Sequence, residues 1–229
     1  MNSTGLFLYG KCLRNRLLRL PEPETCHWIL LGDEIRDPEA LKTVLGLEEQ
    51  DHLILADSVE EVLAHSDLTI DAIARQTGEE ALIDPYHGED DLQDGFLRHC
   101  TPAFSSRPAN LLDIASAGAE LGRWGFRVAH GTYGLMKKMV VSGCCSELDA
   151  ADKTRTLTAA LEADRPSEYF RILHRCGALA QISPLIDGLF DPEPGHGPGE
   201  LPEAIGLLDT KKIPDAIRDA LKIDFGWQD

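Results

Sequence analysis

Short apolar runs closed by turn residues fill the first part of the chain. "LFLY" at 6–9 ends at Gly10 and predicts a buried strand followed by a glycine turn. "CLRNRLLRL" then has helical spacing, with Leu13, Leu17 and Leu20 on one side and Pro21 as its stop. "HWILLG" and "HLILA" predict two further buried strands. Between them "DPEALKTVLGL" predicts a helix, with Asp37 as cap, Pro38 in the first turn and Leu41, Val44 and Leu45 on one face. "SVEEVLAHSDLTIDAIARQ" opens on a capping-box pattern, Ser58 to Glu61, and reads as two helical pieces. "EEALIDPYHG" reads as a short strand running into a Pro-Tyr turn.

After residue 95 the strand-like runs disappear and helical periodicity takes over. Helices are expected near 107–123, 131–142, 149–164, 166–176 and 178–190. "DPEPGHGPGELP" at 191–202 reads as a linker or loop, and 213–222 as a final amphipathic helix. The expected class is α+β: a small α/β head at 1–95, an all-helical domain at 96–190, then linker and helix at 191–229. Whether that last helix packs on the helical domain or serves another chain is left open by the pattern.

The 229 residues carry a formal net charge of −17, a field that repels a phosphate backbone. Arg14, Arg16 and Arg19 form the best basic cluster, readable as a local patch or as a solvated helix face. Six cysteines, at 12, 26, 100, 144, 145 and 176, include no C-x-x-C pair and no zinc-type spacing. They read as reduced thiols, with the vicinal pair Cys144-Cys145 as packing. No segment approaches the roughly 18 apolar residues of a membrane span, and no leader pattern opens the chain. The expectation is a cytoplasmic protein.

Three stretches go beyond layout. "SDLTIDAIARQTGEEALIDPYHGEDDLQDGFLRHCTPAF" (66–104) resembles the bacterial CCA-adding tRNA nucleotidyltransferases and their poly(A) polymerase relatives, whose pattern runs R-R-D-x-T-x-N-A, I-D-P-Y-x-G, D-L and L-R-H before a Phe. "EYFRILHRCGALAQISPLIDGLF" (168–190) resembles that family's neck. "LYGKCLRNRLLRLP" (8–21) is similar to its opening strand and V-G-G-x-V-R-D turn. The three occur in family order. The resemblance implies a nucleotidyltransferase-type head followed by a helical neck. Members continue into a helical body and tail that hold tRNA, and the residues after 190 show no match to that body, so the chain reads as a degenerate and truncated member.

Nucleotide polymerisation needs two divalent metals held by carboxylates. The resemblance places the family's D-x-D at Thr25 and His27, a neutral oxygen and an imidazole better suited to zinc or copper than to magnesium. The third-strand carboxylate falls at Asp51 or His52, and both stay open. The Gly-Gly turn has become Gly10-Lys11, where the lysine either fills the phosphate space or contacts a phosphate. Arg14 of V-R-D remains, but its Asp is Asn15. R-R-D reads His65-Ser66-Asp67, and the later Asn is Asp71. The base-reading helix, E-D-P-x-R-x-L-R in the family, has Arg107 and Asn110 among its replacements but keeps Pro108, Leu111 and Leu112. The neck's E-R-x-x-x-E is Ala151, Asp152 and Thr156.

Contacts to metal, phosphate, sugar and base are therefore replaced together, while turn and packing residues persist. The sequence reads as a non-catalytic scaffold or regulatory homologue with no cofactor, whose partner is a protein and not tRNA. Gly10, Lys11, Arg14, Asp67 and Asp71 are the residues that would carry residual nucleotide binding. The alternative is an RNA-processing transferase or a nucleotide- or RNA-binding protein using ATP or CTP, and only that alternative calls for Mg²⁺. A metal site built from His27, His52 and His65 is a third reading.

Overall fold

The computed structural model describes residues 5–32, 38–190 and 201–228. It divides into two compact units, one running to Asp94 and including Arg98–Ala103, the other made of Gly95–Leu97 and the chain from Phe104.

The first unit is a five-stranded sheet: β1 (Leu6–Tyr9), β2 (His27–Leu31), β3 (His52–Ala56), β4 (Ala74–Gln76) and β5 (Leu82–Ile83), in the order β3-β2-β1-β4-β5. β2 and β3 are parallel, and the other neighbours are antiparallel. Four helices belong to it, α1 (Lys11–Leu18), α2 (Pro38–Leu45), α3 (Val59–Leu63) and α4 (Gly88–Asp94). Phe7, Ile29 and Ala74 present one sheet face to Val59 and Leu63 of α3 and to Ala72, forming the core. Alternation puts Tyr9, His27 and Leu31 on that same face.

Two expectations are corrected here. The segment 58–76 does hold two helical pieces, α3 and a 3₁₀ turn at Thr69–Asp71, but it does not end helical: Ala74–Gln76 is a strand paired to β1. Its strand state comes from that cross-sheet pairing, which local periodicity does not report. The expectation that every cysteine is a free thiol also fails. Cys12 of α1 and Cys26, just before β2, are joined by a disulfide with Cα atoms 5.5 Å apart.

The retained family motif in this unit is architectural. Asp84 accepts from the backbone N–H groups of Gly88 and Glu89 at 2.8 and 2.9 Å and so caps α4. Gly88 sits so close to Thr69 that an added Cβ would lie 2.1 Å from its carbonyl oxygen. Asp91, buried, receives Arg98 through Nε and Nη2 and the hydroxyl of Thr69 at 2.7 Å. Asp84, Gly88, Asp91 and Arg98, of the D-P-Y-x-G, D-L and L-R-H elements, thus tie the turn at Thr69, α4 and Arg98 together within this unit.

The second unit is largely helical: α5 (Asn110–Leu121), α6 (His130–Val141), α7 (Ala150–Glu162), α8 (Pro166–Cys176), α9 (Ala178–Ile182), α10 (Pro184–Gly188), α11 (Glu203–Gly206) and α12 (Asp215–Phe225). It also holds a two-stranded parallel pair, β6 (Phe96–Leu97) with β7 (Arg127–Val128), where no strand was expected. The expected helix at 178–190 is two pieces, broken at Ser183 before Pro184. α5 packs on α7 and α8; Gly118 makes the close approach possible, because a Cβ there would meet Ile172 Cδ1 at 2.2 Å. Tyr169, Phe170 and Phe225 stack edge to face in the core. Phe225 brings the final helix into that core, and Thr154 donates to its carbonyl at 2.8 Å. Asp209 caps α8, accepting from Ser167 N and Oγ at 2.9 and 2.8 Å. The final helix therefore packs within the helical unit. The expected linker at 191–202 lies outside the described residues except for its last two. Among the described residues no helix is long and apolar enough to cross a membrane.

Candidate functional site

A pocket of about 690 Å³ opens on the α3 side of the first unit's sheet. Its floor is Tyr9 and His27 at one end of β1 and β2. One wall comes from β3 and the following turn to Asp57, another from Glu61, Val62 and His65 at α3, and a third from Ser66, Asp67 and Asp71. Gly10 and Lys11 complete the rim.

Strand register builds the floor. Tyr9, His27 and His52 are cross-strand neighbours, with ring centroids 5.7 and 5.1 Å apart. Burial lowers the His27 pKa, His52 lowers it further, and Asp71 and Asp51 oppose the shift. Burial likewise raises the Tyr9 phenol. Gly10 has φ +74°, in the left-handed region. It lies close to both His27 and Asp71: a Cβ there would be 3.7 Å from His27 Nδ1 and 4.0 Å from the Asp71 carbonyl oxygen.

The structure brings Gly10, Lys11, His27, Asp67 and Asp71 to one pocket. Thr25 is not among its lining residues. Arg14 is not either: its guanidinium is buried, with Nη1 3.2 Å from Asp71 Oδ1 and Nε and Nη2 at 3.1 and 3.0 Å from Asn15 Oδ1. Asn15 in turn donates to the Pro21 carbonyl at 2.7 Å. Arg16 makes a fork to Glu22 at 2.9 Å. So two of the three arginines read as a basic patch are held by acids or amides of their own unit.

Register separates Asp51 from His52. His52 stands beside His27, whereas Asp51 is buried in the turn, accepting from Cys26 N, Trp28 Nε1 and Glu48 N at 2.9, 3.1 and 3.3 Å. The histidine trio does not assemble either. His65 donates through Nδ1 to the Glu61 carbonyl at 2.8 Å. Among the described residues, the cluster of three ligand atoms within 4.8 Å of one another is Cys12, Glu22 and Cys26. Arg107 and Asn110 lie in the helical unit. Arg107 Nη2 donates to Asp113 at 2.8 Å, and Asn110, buried, donates to the Phe104 carbonyl at 3.0 Å. Thr156 is buried there against the Tyr169 hydroxyl at 3.0 Å.

Magnesium suits a near-octahedral set of oxygens, with carboxylates supplying the charge. At the strand end that the resemblance assigns to paired carboxylates, the pocket receives one imidazole, and Thr25 does not line it. Four carboxylates, Asp57, Glu61, Asp67 and Asp71, line other walls of the pocket, and no three of them bring their oxygens within 4.8 Å of one another. Asp57, Glu61 and Tyr9 also line the pocket and were not singled out from the sequence. The capping signal at Ser58 locates α3, whose N-terminus Ser58 does cap through Glu61 N, but only the packing of α3 shows which of its residues face inward.

No protein-family model matches the chain. The Multifunctional CCA protein of Alkalilimnicola ehrlichii is 43% identical over 152 residues, covering 64% of this chain and 36% of that protein. The Multifunctional CCA protein of Chromobacterium violaceum is 34% identical over 214 residues, covering 81% and 51%. The chain thus spans between about a third and a half of the curated relatives it matches. Among solved structures, the Thermotoga maritima CCA-adding enzyme complexed with tRNA has a TM-score of 0.70 at 18% identity, covering 98% of this chain and 63% of that one. That likeness concerns the fold: a nucleotidyltransferase head and a helical neck. With curated relatives of this kind and the head-and-neck fold in place, the chain belongs to the family of bacterial CCA-adding tRNA nucleotidyltransferases and their poly(A) polymerase relatives.

Proposed function

We propose that this head and neck does not transfer nucleotides and acts as a scaffold or regulatory module that binds another protein. The observation that carries this reading is His27. It occupies the strand end where the family pattern has a carboxylate, and it faces the pocket without a carboxylate beside it on the strand. The arginine retained from the family's first turn is engaged by Asp71 and Asn15 inside the unit. Four carboxylates, Asp57, Glu61, Asp67 and Asp71, line the pocket against Lys11, which disfavours a triphosphate. Each lost charge-assisted contact weakens nucleotide binding by about 1.5–3 kcal/mol. The net charge of −17 argues in the same direction against tRNA. The reading takes the protein as cytoplasmic.

The test is calorimetric titration of the purified chain with ATP and with CTP, each with magnesium, alongside incorporation of labelled nucleotide into tRNA lacking its 3′ end. The expected result is no heat at millimolar nucleotide and no extension. Saturable heat at micromolar to low-millimolar nucleotide, or extension that Asp67→Ala removes, would overturn the reading in favour of a residual transferase or nucleotide sensor.

A further inference from the structure

The geometry points to a thiophilic metal site, made by Cys12, Cys26 and Glu22 when the Cys12–Cys26 disulfide is reduced, with zinc as the cation it takes. It stands whether or not the neighbouring pocket binds nucleotide.

Three features carry it. Sγ of Cys12, Sγ of Cys26 and a carboxylate oxygen of Glu22 all lie within 4.8 Å of one another. A tetrahedral zinc site with Zn–S near 2.3 Å puts its ligand atoms about 3.8 Å apart, so the sulfurs of the reduced pair must part to about that distance, with the Glu22 oxygen already within 4.8 Å of both. Both cysteines are buried, whereas Glu22 reaches solvent. The set therefore has two soft ligands in a dry corner, one carboxylate at the mouth and a fourth position open to water, and thiolates of this kind select zinc over magnesium or calcium. The scaffold is already rigid: the Asn15 amide pins the Pro21 carbonyl at 2.7 Å, and Pro21 and Pro23 flank Glu22. The competing partner of Glu22 is Arg16, in an exposed pair. Arg16 grips Glu22 through two bonds at 2.9 Å, so a cation on the two thiolates must take that carboxylate from the arginine.

The exchange balances. A dithiol reductant delivers two electrons and two protons to the S–S bond, which breaks to two thiols as the reductant closes to its own disulfide. Zinc replaces the two thiol protons, which pass to solvent. A low-molecular-weight disulfide reverses the sequence: it takes the two electrons, the Cys12–Cys26 bond forms, and zinc leaves. Because Cys12 follows Lys11 and Cys26 precedes His27, the two states hold the rim and floor of the pocket through different linkages.

The experiment uses the full chain, reduced and freed of metal, then titrated with cobalt as a spectroscopic stand-in for zinc. Thiolate-to-cobalt charge-transfer bands should grow to a single equivalent and disappear on adding zinc. They should be absent in the oxidised protein and in Cys12→Ser, and intact in Cys144→Ser/Cys145→Ser. Glu22→Gln should weaken binding by at least the roughly tenfold that losing a supporting contact costs a metal site. Should Cys12→Ser fail to fold, alkylation mapping on the unmodified chain decides: zinc must protect Cys12 and Cys26 and leave the labelling of the other four cysteines unchanged. Absence of charge-transfer bands in the reduced protein, their persistence in Cys12→Ser, or zinc-independent alkylation of Cys12 and Cys26 would each overturn the site.

Discussion

Arg14, buried, forms an ion pair with Asp71 of the pocket wall. Arg14 Nη1 is 3.2 Å from Asp71 Oδ1, with the arginine side chain 2% exposed and the aspartate 27%. It joins the helix after the first strand to the 3₁₀ turn before the fourth. Nε and Nη2 of the arginine donate to Asn15 Oδ1, and Asp71 places a carboxylate against its charge.

Asp71→Ala should therefore destabilise the protein sharply. Removing the carboxylate of a buried ion pair costs about 3–5 kcal/mol. The partial exposure of Asp71 puts the expected loss near the lower figure. Urea unfolding at neutral pH measures it, and a loss under about 1 kcal/mol would mean that solvent or Asn15 already satisfies Arg14.

Reduction should weaken the first unit in the absence of metal. The Cys12–Cys26 bond closes a loop with a sequence separation of 14, and a loop of this length contributes about 3 kcal/mol by restricting the unfolded chain. Thermal melts with and without a phosphine reductant, both with chelator, should differ by that amount. Identical melts would show that no bond forms in solution.

The pH dependence follows from His27. Its pKa is held below the ordinary 6.5 by burial first and His52 second. The unfolded chain then binds the proton more readily than the folded one. The stability associated with neutral His27 is fully present above pH 6.5 and is lost as pH falls through the lowered folded value. His27→Gln should flatten the stability profile across that interval, as read by denaturant midpoints at a series of pH values. An unchanged slope would place the titration elsewhere.

Gly88→Ala tests the fold of the retained motif. The new Cβ would meet the Thr69 carbonyl oxygen at 2.1 Å, and both groups are backbone-fixed. Overpacking of this kind costs about 1–3 kcal/mol or more. The loss should appear as a lowered unfolding midpoint, together with faster hydrogen exchange at the amides of α4.

The sequence by itself determined the class and the run of strands and helices in family order. Buried strands such as "LFLY" and helices such as 166–176 are legible because local periodicity matches the burial they reach. The residues that the resemblance sets at its contact positions, Thr25, His27 and Asn15, are legible because a pattern of residue types needs no coordinates. Tertiary structure alone decided the rest. Ala74–Gln76 is a strand because β1 offers it an edge. His52 and not Asp51 stands beside His27 because strand register puts it there. Arg14 and Asp71 meet, as do Cys12 and Cys26, because the sheet brings α1, β2 and the turn before β4 together. All of these are long-range relations. A chain read from one end to the other carries no term for which distant residue will be opposite, and pairing across a sheet supplies it.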